Sequence, residues 1–304
     1  MANIMRSTDF RSIVEPIMNE AFDGVYSQRT DEWKQIFSEE QGIARNYHEE
    51  PVLFGFGNAP ELPDGMPVTY DAGGTQFIQR YTYKVFGLAF ALTKVLVEDG
   101  DHIRIGSTYS KHLAQSLTET KELRCANVLN RAFNASYTGG DGVSLINTAH
   151  PTPGGGYSNR LTTDANLSQT SLEQLLIQVR NTVDARGKKI RVTPKKLVVA
   201  PGNVFQAEVL IKSVLRTGTA NNDINPVKSM GLLEGGVAVM SRMTSATAWF
   251  INTDVQNGLK VMKRRGLDKT MEGDFETDSM RYKATERYIE GWTDPHAIFG
   301  TPGV

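Results

Sequence analysis

The sequence has few of the residues on which metal centres and disulfide-stabilised folds depend. It contains one cysteine, Cys125, and five histidines in 304 residues. A single cysteine excludes an intrachain disulfide and fits a chain that folds in a reducing cytoplasm. No histidine stands at a zinc-ligand spacing from another histidine or from the cysteine. The sequence therefore predicts no metal site and no cofactor.

An excess of positive charge is also missing. Lys and Arg number 33 against 34 for Asp and Glu, a net charge of -1. Proteins whose main task is nucleic-acid binding usually carry a basic excess, because phosphate neutralisation supplies most of the non-specific affinity. Any contact with nucleic acid is therefore expected to be non-specific.

Long hydrophobic runs are absent as well. The longest apolar stretch, residues 85–92, is far shorter than the ~20 residues of a membrane-spanning helix. The first residues, MANIMRS, lack the apolar region of a secretion signal. We therefore expect a soluble chain that is made in the cytoplasm and has no membrane partner.

The composition is that of an ordinary folded protein, with 39% hydrophobic and 22% charged residues. Apolar spacing predicts an amphipathic helix over 9–37, a short helix over 88–99, a long helix from about 108 to 134, and further helices over 171–186 and 203–216. Strand patterns occur at 51–54, 77–85 and 195–200, and strands dominate from 231 onward. The fold class predicted from this order is α+β.

Residues 47–86 form a segment in which glycine and proline separate two strand-like pieces. A long hairpin with few core residues of its own is the natural interpretation, and loops of this length in a compact protein are usually functional. The preceding helix and this hairpin carry large apolar side chains that we expect at contact surfaces. These residues are Phe10, Ile13, Phe22, Trp33, Phe54, Phe56, Phe77 and Tyr81.

Residues able to support catalysis are scarce. His150, in a glycine-rich loop, is the one candidate base, but no Ser-Gly or Cys motif beside it supplies a nucleophile. The glycine runs at 139–142 and 154–156 lack the phosphate-loop pattern. Cys125 lies mid-helix and is expected to be a small buried hydrophobe. The sequence thus favours a protein without a catalytic site.

Four segments resemble a known family in both order and content. They are DGVSLINTAHP at 141–151 followed by Ser158-Asn159, KLVVAP at 196–201, TGTANNDINP at 217–226, and RYIEGWTDPHA at 287–297. Together with the arm, hairpin and long helix, they resemble tailed-bacteriophage major capsid proteins of the Hong Kong 97-type fold, and more specifically the Mu-like major head subunit family. The resemblance covers nearly the whole chain.

The resemblance implies a map of the chain and a set of partners. Residues 1–46 would be an N-terminal arm, 47–86 an E-loop, 87–170 and 258–304 a peripheral domain, and 171–257 an axial domain with 216–229 as an axial loop. The implied function is self-assembly into hexamers and pentamers of an icosahedral shell around double-stranded DNA. A separate scaffold protein, a portal and a decoration protein are the implied partners, in the host cytoplasm during assembly and in the virion capsid afterwards.

Two alternatives stay open. An encapsulin-like nanocompartment shares this fold but encloses a cargo enzyme, and the Mu-like motifs argue against it. A hydrolase using His150 would need a pocket with convergent polar groups, which a structure would reveal.

Overall fold

The computed structural model describes residues 7–28, 30–42, 45–93, 95–96, 102–216, 223–274, 276 and 279–304. The helices are α1 (Ser7–Gln28), α2 (His102–Asn130), α3 (Gln169–Arg180), α4 (Val204–Lys212) and α5 (Pro226–Ser229). The strands are β1 (Ser38–Gln41), β2 (Tyr47–Phe54), β3 (Gly74–Thr82), β4 (Lys84–Leu92), β5 (Pro194–Val199), β6 (Val237–Val239), β7 (Trp249–Thr253), β8 (Leu259–Asp274), β9 (Ser279–Trp292) and β10 (Ile298–Thr301). The α+β class predicted from the sequence is confirmed.

The first sheet joins strands from distant parts of the chain in the order β1–β8–β9–β4. β8 and β9 are an antiparallel pair of 16 and 14 residues, far longer than the usual strand of about 5–6 residues. β4 pairs antiparallel with β9, and β1 pairs parallel with β8. The sheet thus has a long central ribbon with a short strand on one side.

Helix α2 lies against this first sheet. Its 29 residues correspond to roughly 44 Å at 1.5 Å per residue. The residues that it buries lie on one face, among them Leu113, Leu117, Cys125 and Leu129, and the helix contacts β4 and β9. The sequence predicted a long helix from about 108 to 134, and the structure confirms a long helix, with a start at His102 and an end at Asn130.

The second sheet has the order β10–β7–β5–β6 and is covered on both faces. Along β5, Leu197 and Val199 point to the core that holds α3 and α4, whereas Val198 points to the core that holds the end of α2. A strand buried on both faces needs apolar residues at every position, which explains the uninterrupted run at 197–200. The capping box of Ser168 and Ser171 fixes the start of α3.

The helix predicted at 88–99 is wrong over 88–92, because β4 occupies Lys84–Leu92, whereas residues 95–96 are helical. Phe86 and Phe90 are half-buried and Leu92 is buried, and all three lie on one face of the strand. A short apolar run fits either structure by periodicity alone. Pairing with β9 stabilises the strand. Residues 97–100 lie outside the described part of the chain.

The arm helix predicted over 9–37 ends earlier, at Gln28. A 3-10 turn at Trp33–Gln35 and strand β1 follow it. The backbone N–H groups of Glu32 and Trp33 donate to the Glu122 carboxylate at 2.7 and 3.2 Å, which holds this turn on α2. These tertiary bonds replace the helical ones that the periodicity predicted.

Candidate functional site

The hairpin β2–β3 projects from the body as a two-stranded sheet of its own. Tyr47 lies opposite Thr82 at its base and Phe54 opposite Gly74 at its far end. Beyond the strands, residues 55–73 form an extended loop whose only regular feature is a turn at Asp64-Gly65. The long hairpin predicted from the sequence is therefore present.

A buried ion pair anchors the base of the hairpin. Lys260 on β8 has no exposed surface, and its Nζ donates to Glu50 of β2 at 2.8 Å. Tyr81 of β3 is also buried and shares a 2.6 Å hydrogen bond with Thr293. Burial opposes ionisation of Glu50, but the hydrogen bonds from Lys260 and Thr293 outweigh it and hold the pKa of Glu50 below its usual value.

A second attachment lies near the far end of the hairpin. Nη1 of Arg186 donates to Asp71 at 2.9 Å, and its Nη2 donates to the carbonyl of Ala72. The Gly57 N–H donates to Asp71 at 2.8 Å. This backbone hydrogen bond, followed by the one from the Ala72 N–H and then by the Arg186 contact, lowers the pKa of Asp71. The stalk is thus held at both ends, and residues 58–70 extend beyond it.

The loop beyond this attachment is apolar and exposed. Tyr70 is 96% exposed and Val68 66%. Phe56, Leu62 and Met66 also lie in solvent. Several large apolar side chains exposed along one loop indicate an interaction surface.

The prediction of contact residues is wrong for three of the eight large side chains. Phe22, Trp33 and Tyr81 are at most 3% exposed and belong to cores of their own chain. Phe56 is exposed as predicted, and Phe54 and Phe77 are half-buried. The side chains of Phe10 and Ile13 lie outside the description. The arm packs on α2 and the first sheet through Val14, Met18 and Phe22, so the exposed large apolar residue of this set lies in the hairpin loop.

His150 lies in a fully buried polar cluster and has no exposed surface. Its Nδ1 is 2.6 Å from Asp141 Oδ2 and its Nε2 is 3.0 Å from Asn159 Oδ1. The Asn159 amide has one orientation, since its Nδ2 donates to three carbonyls. These are the carbonyls of Leu145, Pro295 and Ile298, at 2.7, 3.1 and 3.1 Å.

This orientation fixes the role of His150. Because Asn159 presents an oxygen, His150 must donate from Nε2, and Nδ1 faces a carboxylate. Both ring nitrogens of His150 are therefore engaged, Nε2 with Asn159 and Nδ1 with the Asp141 carboxylate. A general base needs a free ring nitrogen within reach of a substrate, and His150 offers none.

A second histidine repeats the arrangement beside the first. His296 Nδ1 is 2.7 Å from Asp294 and its Nε2 is 3.1 Å from the Val183 carbonyl. Tyr157 stacks between the rings, with centroids 5.0 Å from His150 and 3.9 Å from His296. The stack ties the 141–159 loop to the turn before β10. Sequence reasoning missed it, because its members come from segments joined only by the fold.

The remaining candidates have structural roles. Cys125 is fully buried in a core, as predicted, and burial raises the pKa of its thiol. Lys263 pairs with Glu39 and Arg265 with Asp268 on the surface.

Among the described residues no cluster of His, Cys, Asp and Glu is arranged to hold a metal. No described helix combines the length and apolarity needed to cross a bilayer. In the predicted axial loop 216–229, residues 217–222 lie outside the description.

The fold and hairpin agree with comparisons to known proteins. The family model described as "Phage capsid protein" matches residues 78–300. The capsid of cyanophage P-SCSP1u is similar at a TM-score of 0.56 with 13% identity, over 88% of this chain and 86% of that one. A phage-related protein of Bordetella bronchiseptica RB50 is similar at 0.54 with 14% identity, over 95% and 96%.

A virus-like particle from Pyrococcus furiosus is similar at a TM-score of 0.52 with 12% identity, over 94% of this chain and 98% of that one. At such identities the structural likeness establishes the fold alone. No curated protein matches the sequence significantly. The family match covers well over half of the chain. The resemblance to capsid proteins is therefore confirmed: the chain belongs to the phage capsid protein family and is a major capsid protein with the Hong Kong 97-type fold.

Proposed function

We propose that this capsid protein assembles with copies of itself into pentamers and hexamers of an icosahedral shell around double-stranded DNA, and that it does so through the hairpin. The observation that carries the proposal is the exposed apolar loop at 55–73, held on a stalk that is fixed at both ends. When one patch meets a different patch on the next copy, the contact is heterologous, and it closes into a ring when the rotation between copies allows.

The proposed division of the chain follows the resemblance. Residues 1–46 serve as the arm, 47–86 as the E-loop, 87–170 and 258–304 as the peripheral domain, and 171–257 as the axial domain. The two sheets support this division, since the first holds β4, β8 and β9 and the second holds β5, β6 and β7. β10, from the last segment, joins the second sheet and connects the two parts.

The role proposed for this chain is structural and not catalytic. Both ring nitrogens of the buried His150 are occupied, which argues against the hydrolase alternative. In this proposal a separate scaffold protein, a portal and a decoration protein act with the chain in the host cytoplasm, and contact with DNA is non-specific. An encapsulin-like shell has less support, because the matching family is one of phage capsid proteins. Nucleic acid inside purified shells supports a capsid, whereas a single enclosed enzyme supports the alternative.

Deletion of the loop tests the proposal. Replacing residues 58–70 by two glycines keeps both stalk attachments and should leave a folded subunit that forms no shells or rings. Folding is checked by circular dichroism and thermal unfolding, and assembly by electron microscopy and light scattering. A loop of unchanged length with Phe56, Leu62, Met66, Val68 and Tyr70 all changed to Ser should fail similarly if apolar contact is the cause. Full-size shells from the deleted protein would refute the role of the hairpin.

A further inference from the structure

A cleft of about 310 Å³ lies between α2, the base of the hairpin and β9. Four cationic side chains line it against a single carboxylate, that of Glu290. The four belong to Arg80, Lys84, Arg124 and Arg131. The chain as a whole has a net charge of -1, so this excess of positive charge is local to the cleft.

Two of the four cations are held by aromatic rings. Arg131 lies 4.4 Å from the ring centre of Tyr137. Arg80 lies 4.0 Å from the ring centre of Tyr47. Lys84 and Arg131 are exposed and form no ion pair with another described residue. Because a planar guanidinium presents parallel N–H donors that match two oxygens of one anion, the cleft is arranged to bind an oxyanion.

Three further polar atoms at the cleft indicate which oxyanion fits. Nε of Arg124 is a buried donor without a hydrogen-bond partner among the described residues, although its guanidinium pairs with Glu290. Oε2 of Glu290 and Oε1 of Gln79 are buried acceptors that also lack a partner in the described part of the chain. Buried polar groups of folded proteins are nearly always hydrogen-bonded. A ligand that pairs with this set must therefore both accept and donate hydrogen bonds.

Inorganic phosphate has both properties. At neutral pH it is negatively charged and still keeps at least one proton, which can donate to an acceptor-only carboxylate such as that of Glu290. Sulfate and the phosphodiesters of DNA carry no such proton, so a negative oxygen would face the carboxylate. The apolar side chains at the cleft lower the local dielectric constant and strengthen polar contacts there. They belong to Val128, Leu145, Ile289 and Trp292.

We propose that the cleft binds one hydrogen phosphate ion, with its oxygens against Arg124, Arg131 and Lys84 and its hydroxyl donating to Glu290. The singly charged form of the ion has a second hydroxyl, which donates to Gln79. This inference goes beyond the proposed assembly and does not depend on it. Because the ligand binds the folded chain, phosphate should also raise the temperature of unfolding.

Titration calorimetry of the purified full-length chain with sodium phosphate tests the site, in a buffer free of other oxyanions. We expect saturable binding, and sulfate should bind about tenfold more weakly because it cannot donate to Glu290. The cleft variant Lys84→Gln with Arg131→Gln should weaken phosphate binding about tenfold or more. The matched control Lys111→Gln with Arg191→Gln removes two exposed cations that do not line the cleft, and it should bind phosphate like the wild type.

A second variant tests the role of the phosphate proton. In Glu290→Gln the neutral amide no longer repels an unprotonated oxyanion and can donate to it. Phosphate and sulfate should therefore bind this variant with nearly equal affinity. The ratio of the two affinities is measured on one folded sample, so it does not depend on the stability of the variant. Circular dichroism and thermal unfolding check that each variant is folded.

The outcomes separate this site from a general anion surface. Absence of phosphate binding by the wild-type chain, or equal losses in the cleft and control variants, overturns the inference. Equal wild-type affinities for phosphate and sulfate would show a cluster of like charges only, and would overturn it as well. Duplex DNA that displaces phosphate and depends on Lys84 and Arg131 would assign the cleft to the DNA backbone instead. None of these results bears on shell formation, which the loop deletion tests.

Discussion

At the scale of residues, the side-chain amide of Asn159 joins two segments of the chain. Its Nδ2 donates to carbonyls in two segments, and its Oδ1 accepts from the Asn147 N–H at 2.8 Å as well as facing His150. The amide thereby fixes the 145–159 loop against the turn before β10. Buried polar groups in such networks specify one arrangement, because each alternative leaves a donor or acceptor unpaired.

Asn159→Asp should therefore destabilise the subunit strongly. A carboxylate would face three carbonyl oxygens, each losing its donor at a cost of about 1–3 kcal/mol. We expect a loss of roughly 4 kcal/mol in the free energy of unfolding, measured by urea denaturation of dissociated subunits. The control is Asn134→Asp, an exposed site where only Oδ1 is used, accepting from the Ser136 N–H at 2.9 Å. Equal effects at the two positions would contradict this account.

At the scale of elements, the arm and the hairpin differ in how deeply their phenylalanine side chains are buried. Phe22 on α1 is fully buried in its own chain, whereas Phe56 in the loop is 62% exposed. Phe22→Ala should cost the isolated subunit about 3–4 kcal/mol. Phe56→Ala should change subunit stability by less than about 0.5 kcal/mol and reduce shell yield. Thermal unfolding and electron microscopy of both variants check this, and a destabilised Phe56→Ala subunit would argue against a free loop.

The attachment of the hairpin should depend on pH. The pKa of Glu50 is lowered in the folded chain, so its contribution to stability is present above its unfolded pKa and is lost as pH falls through the folded value. Wild-type stability should therefore drop below about pH 4.3, the ordinary value for Glu. Glu50→Gln should lower the free energy of unfolding by roughly 2 kcal/mol at pH 7, because Lys260 stays buried without its Glu50 partner. The stability of this variant should also fall less steeply than that of the wild type as the pH drops. The control is Glu49→Gln, a change at the exposed neighbouring residue. If Glu50→Gln lost stability with falling pH as steeply as the wild type, Glu50 would not be the group responsible.

The elements that could be predicted are those whose signals are local. Helix α3 follows from its regular leucines, and the hairpin from the glycines and prolines between two alternating segments. Strand β4 was missed because its partner β9 lies far along the chain. Trp33 and Phe22 were wrongly predicted to lie at contact surfaces. The cores in which they are buried are built from α2 and the first sheet, which lie far along the chain.

At the scale of the whole molecule, the two ends of the hairpin present different surfaces. Its base is fixed to β8 by the buried Glu50–Lys260 pair, and its loop holds exposed apolar side chains. In the proposed assembly the loop meets a different patch on the next copy, so the contact is heterologous and forms a ring where the rotation between copies closes.

The pairing of β1 with β8 sets Ser38 opposite Lys260, which constrains the order of events during synthesis. A ribosome releases the chain from its first residue, so β1 has no partner until most of the sequence has been translated. The first sheet is thus a late product, since contacts between residues distant in sequence form slowly. A nascent chain without β8 and β9 also lacks Lys260, the residue that anchors the hairpin. In the proposed assembly, an interrupted translation product therefore lacks the anchored hairpin through which subunits join.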